Sequence, residues 1–280
     1  MPELPEVETI VRDLAPLLCG RPLRNPQLFK NDVLRGVSAR KLLRILRNNR
    51  IADVTRRAKH VVILLASGER MVIQPRMTGS LIVYDRRLRA DEQRYVVLRA
   101  GLGNGQLLVY SDVRRLGTIS LLDERAWQTY TAAIGPEPLA DEFDSRHFIQ
   151  RLSGTRQAIK KALMDQRRLA GVGNIYATEA LFRAGIDPSR PANRLSSDDF
   201  RRLYRTVRHV LRQAVRAGGT TIRDYRNGRG GSGSYQHTLL VYGRGGKPCP
   251  RCRTTLATTH AIDGRATTFC WRCQAMSRLR

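Results

Sequence analysis

Acidic residues are the scarce class in this chain. Twenty-four Asp and Glu face 50 Lys and Arg, which leaves a formal charge of +26. Such an excess repels itself unless a polyanion neutralises it, and nucleic acid is the expected partner. Arg dominates the basic set, and its planar fork suits phosphate better than an ammonium does. A general Arg bias from a GC-rich genome would also raise the count, but here the basic residues cluster near Gly-rich stretches and paired cysteines. Long apolar runs are absent: no stretch approaches the roughly 20 residues that a membrane helix needs, so no membrane partner is expected. The start, MPELPEVE, is acidic and has no apolar run. That pattern excludes a signal peptide and places the protein in the cytoplasm. Cysteines number only five, and a reducing compartment argues against disulfides between them. Apolar residues still make up 41%, which excludes wholesale disorder.

The order of patterns along the chain predicts an α+β protein. Residues 5–18 carry Val7, Ile10, Val11, Leu14, Leu17 and Leu18 at helical spacing, with Pro5 in the first turn and Gly20 as the stop. Cys19 reads as a small buried apolar residue there. Between about 30 and 122 the pattern changes to short apolar runs. Strands are predicted at 60–66, 71–74, 81–84, 95–98, 106–110 and 118–122, with Ser67-Gly68 and Asn104-Gly105 as hairpin turns. These runs predict an N-terminal β-sandwich or barrel over 1–130. Pro136 and Pro138 mark a linker over 131–145. Helices are predicted at 148–152, 158–165, 175–184 and 197–217, with the glycine turn Gly171-Val172-Gly173-Asn174 between the second and third. Helix, glycine turn, helix is a shape found in DNA-binding domains, here assigned to 146–235. Residues 218–234 are rich in Gly, Arg, Asn and Ser, and their composition leaves a functional loop and a flexible linker equally open.

Two spacings carry chemistry. Cys249-Pro-Arg-Cys252 and Cys270-Trp-Arg-Cys273 stand 17 residues apart in the 236–280 segment. Two C-x-x-C turns give four soft ligands on a hairpin, the set one structural zinc ion takes. A redox pair is the alternative reading of a C-x-x-C. Four cysteines leave no open coordination position, so this zinc positions residues rather than activating water. The finger brings Arg251, Arg253, Arg265 and Arg272 with it. At the other end, Pro2 follows an initiator methionine of the kind normally removed. A free α-amine is far less basic than lysine, so more of it is neutral and nucleophilic near pH 7. Glu3 and Glu6 lie close by as proton donors or acceptors. On composition alone the plainer reading, a good helix start, is the stronger.

Several motifs then converge. They include PELPEVE at 2–8, RRAKH at 56–60, RMTGSL at 76–81, SDVRRLG at 111–117, GPEPL at 135–139 and AIKKALMDQ at 158–166. AGVGNIYATEALFRAGI at 170–186, TTIRDY at 220–225, HTLLVYGR at 237–244 and GRATTFC at 264–270 complete the set. In this order, over nearly the whole chain, they resemble bacterial formamidopyrimidine-DNA glycosylases, in the wider family that includes endonuclease VIII. The resemblance implies a β-sandwich domain, a helix-two-turn-helix domain and a zinc finger. It also implies a monomer acting at the nucleoid on double-stranded DNA with oxidised bases or abasic sites. Catalysis would fall to Pro2 as nucleophile, with Glu3, Lys59 and Arg265. DNA contacts would fall to Met77, Arg114, Leu116, Arg156, Lys160, Asn174 and Tyr225, with the 218–234 loop covering a flipped base. Taken singly, Lys59 would be a surface lysine, Met77 core and Asn174 a helix cap.

The chain departs from the family pattern at several positions. Leu116 stands where a phenylalanine wedge is usual. Gln74, Gln93 and Tyr95 stand where histidine is frequent. The finger loop is one residue longer than usual. The PELPE start favours the oxidised-purine branch over the endonuclease VIII branch, which takes oxidised pyrimidines. A lesion-binding protein without catalysis is the rival of a different class.

Overall fold

The computed structural model describes residues 2–275. It divides into two compact units, Met1–Ala133 with Val215–Gln236, and Ile134–Ala214 with His237–Arg280.

The first unit opens with helix α1 (Leu4–Leu18). Glu3 caps it: its side chain accepts from the Glu6 backbone, and the Glu6 carboxylate accepts from the Glu3 N–H at 2.8 Å. This reciprocal box satisfies donors that a helix start leaves orphaned. Val7, Ile10, Leu14 and Leu18 face the core without exposure. Gly20 at φ 77° ends the helix. Cys19, read from sequence as buried, is exposed, because it follows the last turn and leaves the apolar stripe.

The chain then builds β1 (Arg24–Leu28), α2 (Ala39–Leu46), β2 (Ile51–Arg57), β3 (His60–Leu65), β4 (Arg70–Gln74) and β5 (Gly79–Tyr84). A short α3 (Ala90–Gln93), β6 (Val96–Gly101), β7 (Leu107–Asp112), β8 (Thr118–Leu122) and α4 (Glu124–Ala132) follow. The strands form two antiparallel four-stranded sheets, ordered β1-β6-β7-β5 and β2-β3-β4-β8. Val61 and Ile63 of one sheet and Leu81, Leu98 and Tyr110 of the other share a core with α1. This is the expected sandwich. It has one consequence for function. The chain changes sheet from β4 to β5 and again from β7 to β8. Gly79 pairs with Asp112 and Gln74 with Thr118, so the two crossings lie side by side.

The second unit holds α5 (Ser145–Ser153), α6 (Ile159–Met164), α7 (Asn174–Ala184) and most of α8 (Ser197–Arg216), followed by the finger hairpin β9 (Ala257–Thr259) and β10 (Thr267–Phe269). Phe148, Leu152, Leu163, Leu181 and Phe200 are buried among the helices. The fully buried Glu179 of α7 accepts backbone N–H bonds from Leu240, Val241 and Tyr242, at 3.0 Å from the first and 2.9 Å from the others. It fixes the strap that leads into the finger.

Two boundaries differ from the sequence reading. The segment read as a linker over 131–145 is packed into the second unit: Gly135 N–H donates to the Gln166 carbonyl at 2.8 Å, and Arg208 donates to the carbonyls of Pro138 and Ala140 at 2.9 Å. Residues 218–234, assigned from sequence to the helical domain, belong to the first unit. Among the described residues no helix is long and apolar enough to cross a membrane.

Candidate active site and nucleic-acid interface

Pro2 and Glu3 are both buried at the start of α1, with Glu3 at 2% exposure. The Glu6 carboxylate is committed to backbone on both oxygens. Oε2 accepts from Glu3 N–H, and Oε1 accepts from Thr220 N–H at 2.7 Å. Glu6 therefore joins the N-terminus of α1 to the 218–234 loop, a role its sequence position did not announce. Its place in PELPEVE, one turn from Pro2, was the available signal.

Lys59 sits with Ala58 on the two-residue turn between β2 and β3, where Arg57 pairs with His60. Ala58 adopts φ 52°, a left-handed conformation that costs a residue with a Cβ about 1 kcal/mol. The turn is buttressed from α1. Arg56 donates to Glu8 at 2.9 Å and to the Ala58 carbonyl at 3.0 Å. Lys59 is 6% exposed. Its neighbour His60 is buried between the Arg57 carbonyl, 3.0 Å from Nδ1, and the Tyr130 hydroxyl, 3.0 Å from Nε2. A carbonyl only accepts, so Nδ1 carries the proton and Nε2 accepts from Tyr130. Burial lowers the His60 pKa from 6.5 to about 4, and the positive charges of Arg57, Arg76 and Lys59 push the same way.

Met77 lies on the β4–β5 crossing and Arg114 and Leu116 on the β7–β8 crossing. Met77 is 43% exposed and Leu116 42%, so both apolar side chains stand in water. The buried Asp112 ties the crossings together. Its Oδ1 accepts from Thr78 at 2.5 Å, and its Oδ2 accepts from Gly117 N–H at 2.7 Å. Thr78 in turn accepts from Arg114 N–H at 3.0 Å, and the Arg114 guanidinium reaches the Met77 sulfur at 3.4 Å. No side chain fits at Gly117, where a Cβ would lie 1.9 Å from the Tyr110 hydroxyl and 2.8 Å from the Gln74 carbonyl. The sequence reading brought Met77, Arg114 and Leu116 together; the structure adds Asp112 and Gly117 as their support.

The 218–234 loop is seated at base and tip. Ser234 N–H bonds the Ala217 carbonyl at 2.9 Å, and Tyr235 N–H the Gly219 carbonyl at 3.1 Å. At the tip, Gly228 N–H donates to Asp13 at 3.1 Å, and its carbonyl accepts from Val83 N–H at 3.3 Å. Tyr225, expected on DNA, is instead 6% exposed. Its hydroxyl donates to the carbonyls of Glu6 and Gly218, each at 3.2 Å. A buried phenol needs such partners, and here they make it a post for the loop.

In the second unit Asn174 begins α7, and its amide donates to the Ala266 carbonyl at 3.1 Å. Arg156 and Arg265 are exposed. Lys160, expected on DNA, is fully buried, with Nζ 2.8 Å from Thr267 Oγ1 and 3.3 Å from Asp263. Its ammonium is used inside the unit.

The four cysteine sulfurs lie within 4.8 Å of one another. Cys249 and Cys273 are 3.9 Å apart, Cys252 and Cys270 3.5 Å. Zn–S bonds of about 2.3 Å in a tetrahedron require sulfurs about 3.8 Å apart, so the set fits zinc. Cys249 and Cys270 are buried against Phe182, Val241 and Leu256. A zinc ion held there is structural.

An N-terminal sandwich, a helical unit and a four-cysteine finger follow one another along the chain. Three segments of the chain match known domain families. The formamidopyrimidine-DNA glycosylase N-terminal domain matches residues 1–119, the H2TH domain of the same enzymes matches 134–226, and the zinc finger found in FPG and IleRS matches 246–275. The formamidopyrimidine-DNA glycosylase of Thermomicrobium roseum is 44% identical, over 99% of this chain and 100% of that protein. That of Stenotrophomonas maltophilia is 42% identical, over 98% and 100%. The Lactococcus lactis Fpg in complex with abasic-site-containing DNA superposes with a TM-score of 0.89 at 30% identity, covering 98% of this chain and 99% of that one. The MutM (Fpg) protein of Thermus thermophilus gives 0.86 at 37% identity, covering 98% of each. The chain belongs to the formamidopyrimidine-DNA glycosylase family.

Proposed function

We propose that this protein is a bifunctional DNA glycosylase and AP lyase of base excision repair. Its substrates are oxidised purines, 8-oxoguanine and formamidopyrimidines, in double-stranded DNA, and abasic sites. It works as a monomer in the cytoplasm, at the nucleoid. The observation that carries the reading is at the start of α1. Pro2 and Glu3 are buried together there, and the turn bearing Lys59 is braced against the same helix through Arg56 and Glu8.

Once Met1 is removed, the secondary amine of Pro2 attacks C1′ of the damaged nucleotide. The C1′–base bond breaks, and the base leaves with its electron pair and picks up a proton. Glu3 protonates the ring oxygen as the sugar opens, and loss of the amine proton leaves an iminium. The iminium acidifies the C2′ protons. Removal of one breaks the C3′–O bond, and a second elimination breaks C5′–O, leaving a one-nucleotide gap with phosphate at both ends. Lys59 serves this acid–base or phosphate work, and Arg265 holds phosphate. Because a stacked base is out of reach, the nucleotide is flipped. Met77 and Leu116 fill the vacated stack and Arg114 faces the orphaned base, while the seated loop covers the flipped one. Leucine fills space but stacks less than an aromatic ring would. Arg156 and Asn174 hold phosphate from the second unit.

Borohydride trapping tests the reading. A covalent protein–DNA adduct is expected with 8-oxoguanine opposite cytosine. An adduct with oxidised pyrimidines alone would move the protein to the endonuclease VIII branch. Absence of any adduct, on oxidised bases and abasic DNA alike, would leave a binding protein. Pro2→Gly is expected to keep DNA binding while losing most base excision, and full excision by that variant would remove Pro2 as nucleophile.

A further inference from the structure

Lys160 is a fully buried ammonium that the proposed chemistry does not touch. Taking such a charge out of water is costly unless it is paired. Its pairing is specific. Nζ donates to Thr267 Oγ1 at 2.8 Å and lies 3.3 and 3.4 Å from the two oxygens of Asp263, whose side chain is itself only 7% exposed. Both partners also grip the backbone of Arg265. Asp263 Oδ1 accepts from Arg265 N–H at 3.2 Å, and Thr267 Oγ1 donates to the Arg265 carbonyl at 3.3 Å. The directions are consistent: a hydroxyl oxygen that accepts from an ammonium has its own proton left to give to a carbonyl. Asn174 holds the next carbonyl, that of Ala266, at 3.1 Å. The peptide groups on both sides of Arg265 are thus fixed, while its side chain is exposed.

We infer that Lys160 is a positioning residue for Arg265, acting through Asp263 and Thr267 to hold the finger tip so that the guanidinium meets a DNA phosphate in one pose. The inference rests on the reading that Arg265 binds phosphate. It reassigns Lys160 from a DNA contact to a buried support, and it makes Asp263 and Thr267 part of the strand-cleavage apparatus. A long side chain on a hairpin tip loses rate if its backbone wanders, since a displacement of about 1 Å at a positioning group can cost about a hundredfold.

The test is a cycle in full-length zinc-loaded protein. Lys160→Met with Asp263→Asn removes both charges of the pair at once. The double change is placed in the Arg265 background and in the Arg265→Ala background, and affinity for a duplex with a stable abasic analogue is measured beside kcat and KM for nicking abasic DNA. About a tenfold loss is expected in the Arg265 background and less than about twofold in the Arg265→Ala background. An equal loss in both backgrounds would show general support of the fold and overturn the inference, as would no loss, or an Arg265→Ala protein as active as the parent. Zinc content and the thermal midpoint report folding. If the charge-free pair fails to fold, Thr267→Val carries the same cycle with the same two outcomes. A parent protein that neither nicks nor is trapped on DNA would sink the functional reading itself, whereas an active parent with an indifferent cycle would sink only the positioning of Arg265.

Discussion

At the scale of single residues, burial decides which charged groups reach DNA and which build the support. His60 shows the physical cost. The unfolded imidazole binds a proton near pH 6.5, and the folded one only near pH 4. Between those values the unfolded chain holds a proton that the folded chain refuses. Stability is therefore full above about pH 6.5 and falls toward pH 4, by up to about 3 kcal/mol. His60→Phe is expected to flatten this profile. Urea midpoints at about pH 7.5, above the window, and about pH 4.5, near its lower end, would check it; an unchanged difference between the two midpoints would show that other groups carry the acid sensitivity. The residue scale also shows why two side chains expected on DNA lie buried in this structure. Tyr225 and Lys160 carry polar ends that suit phosphate, and only the packed structure turns those ends inward onto Glu6 and Asp263.

At the scale of elements, the paired sheet crossings and the seated loop dominate. Gly117→Ala would push a Cβ onto the Tyr110 hydroxyl and the Gln74 carbonyl. A destabilisation of about 2–3 kcal/mol is expected, read as a lower urea midpoint. An unaltered midpoint would mean that the crossing relaxes freely. Gly228 is the corresponding point on the loop, where a Cβ would lie 2.8 Å from Asp13 and 2.9 Å from Leu14. Gly228→Val is expected to lift the tip from α1. Excision of 8-oxoguanine should then fall about tenfold or more while nicking of preformed abasic sites is kept, because only the first needs the base covered. Equal effects on both substrates would argue against a covering role.

The same scale shows why some elements were illegible. β1 contains Pro26, has Asn25 at φ 44° and shifts register between Arg24 and Gln27, as an edge strand can. β2 also shifts register, between Ile51 and Asp53, so its burial does not alternate. α4 buries no residue and so carries no apolar stripe. α2 was missed although Ser38 as cap and Leu42 and Leu46 one turn apart signal it, because it lies inside a stretch otherwise made of strands.

At the scale of the whole molecule, the charge of +26 makes DNA affinity steeply salt-dependent. Each phosphate-contacting arginine removed should lower the slope of log affinity against log salt by about 1. Zinc has a wider effect. Zinc held by Cys249, Cys252, Cys270 and Cys273 would pin the finger core, against which Phe182 and Val241 pack, and with it the hairpin bearing Arg265. Stripping zinc with a chelator is expected to cost DNA binding and strand cleavage together, and readdition to restore both. Cleavage that survives complete zinc loss would detach Arg265 from the reaction.

The sequence by itself determined the strand-rich and helical segments and the zinc ligands, and its family resemblance brought Pro2, Glu3, Lys59, Met77, Arg114 and Leu116 forward as one set. Those features are local: periodicity, C-x-x-C spacing and short motifs are written in consecutive residues. Only the tertiary structure decided that Glu6 and Tyr225 seat the loop, that Asp112 ties two crossings, and that Lys160 turns inward to Asp263. Each of those contacts joins residues far apart in the chain, and burial, which no single segment encodes, sets which end of a side chain meets water.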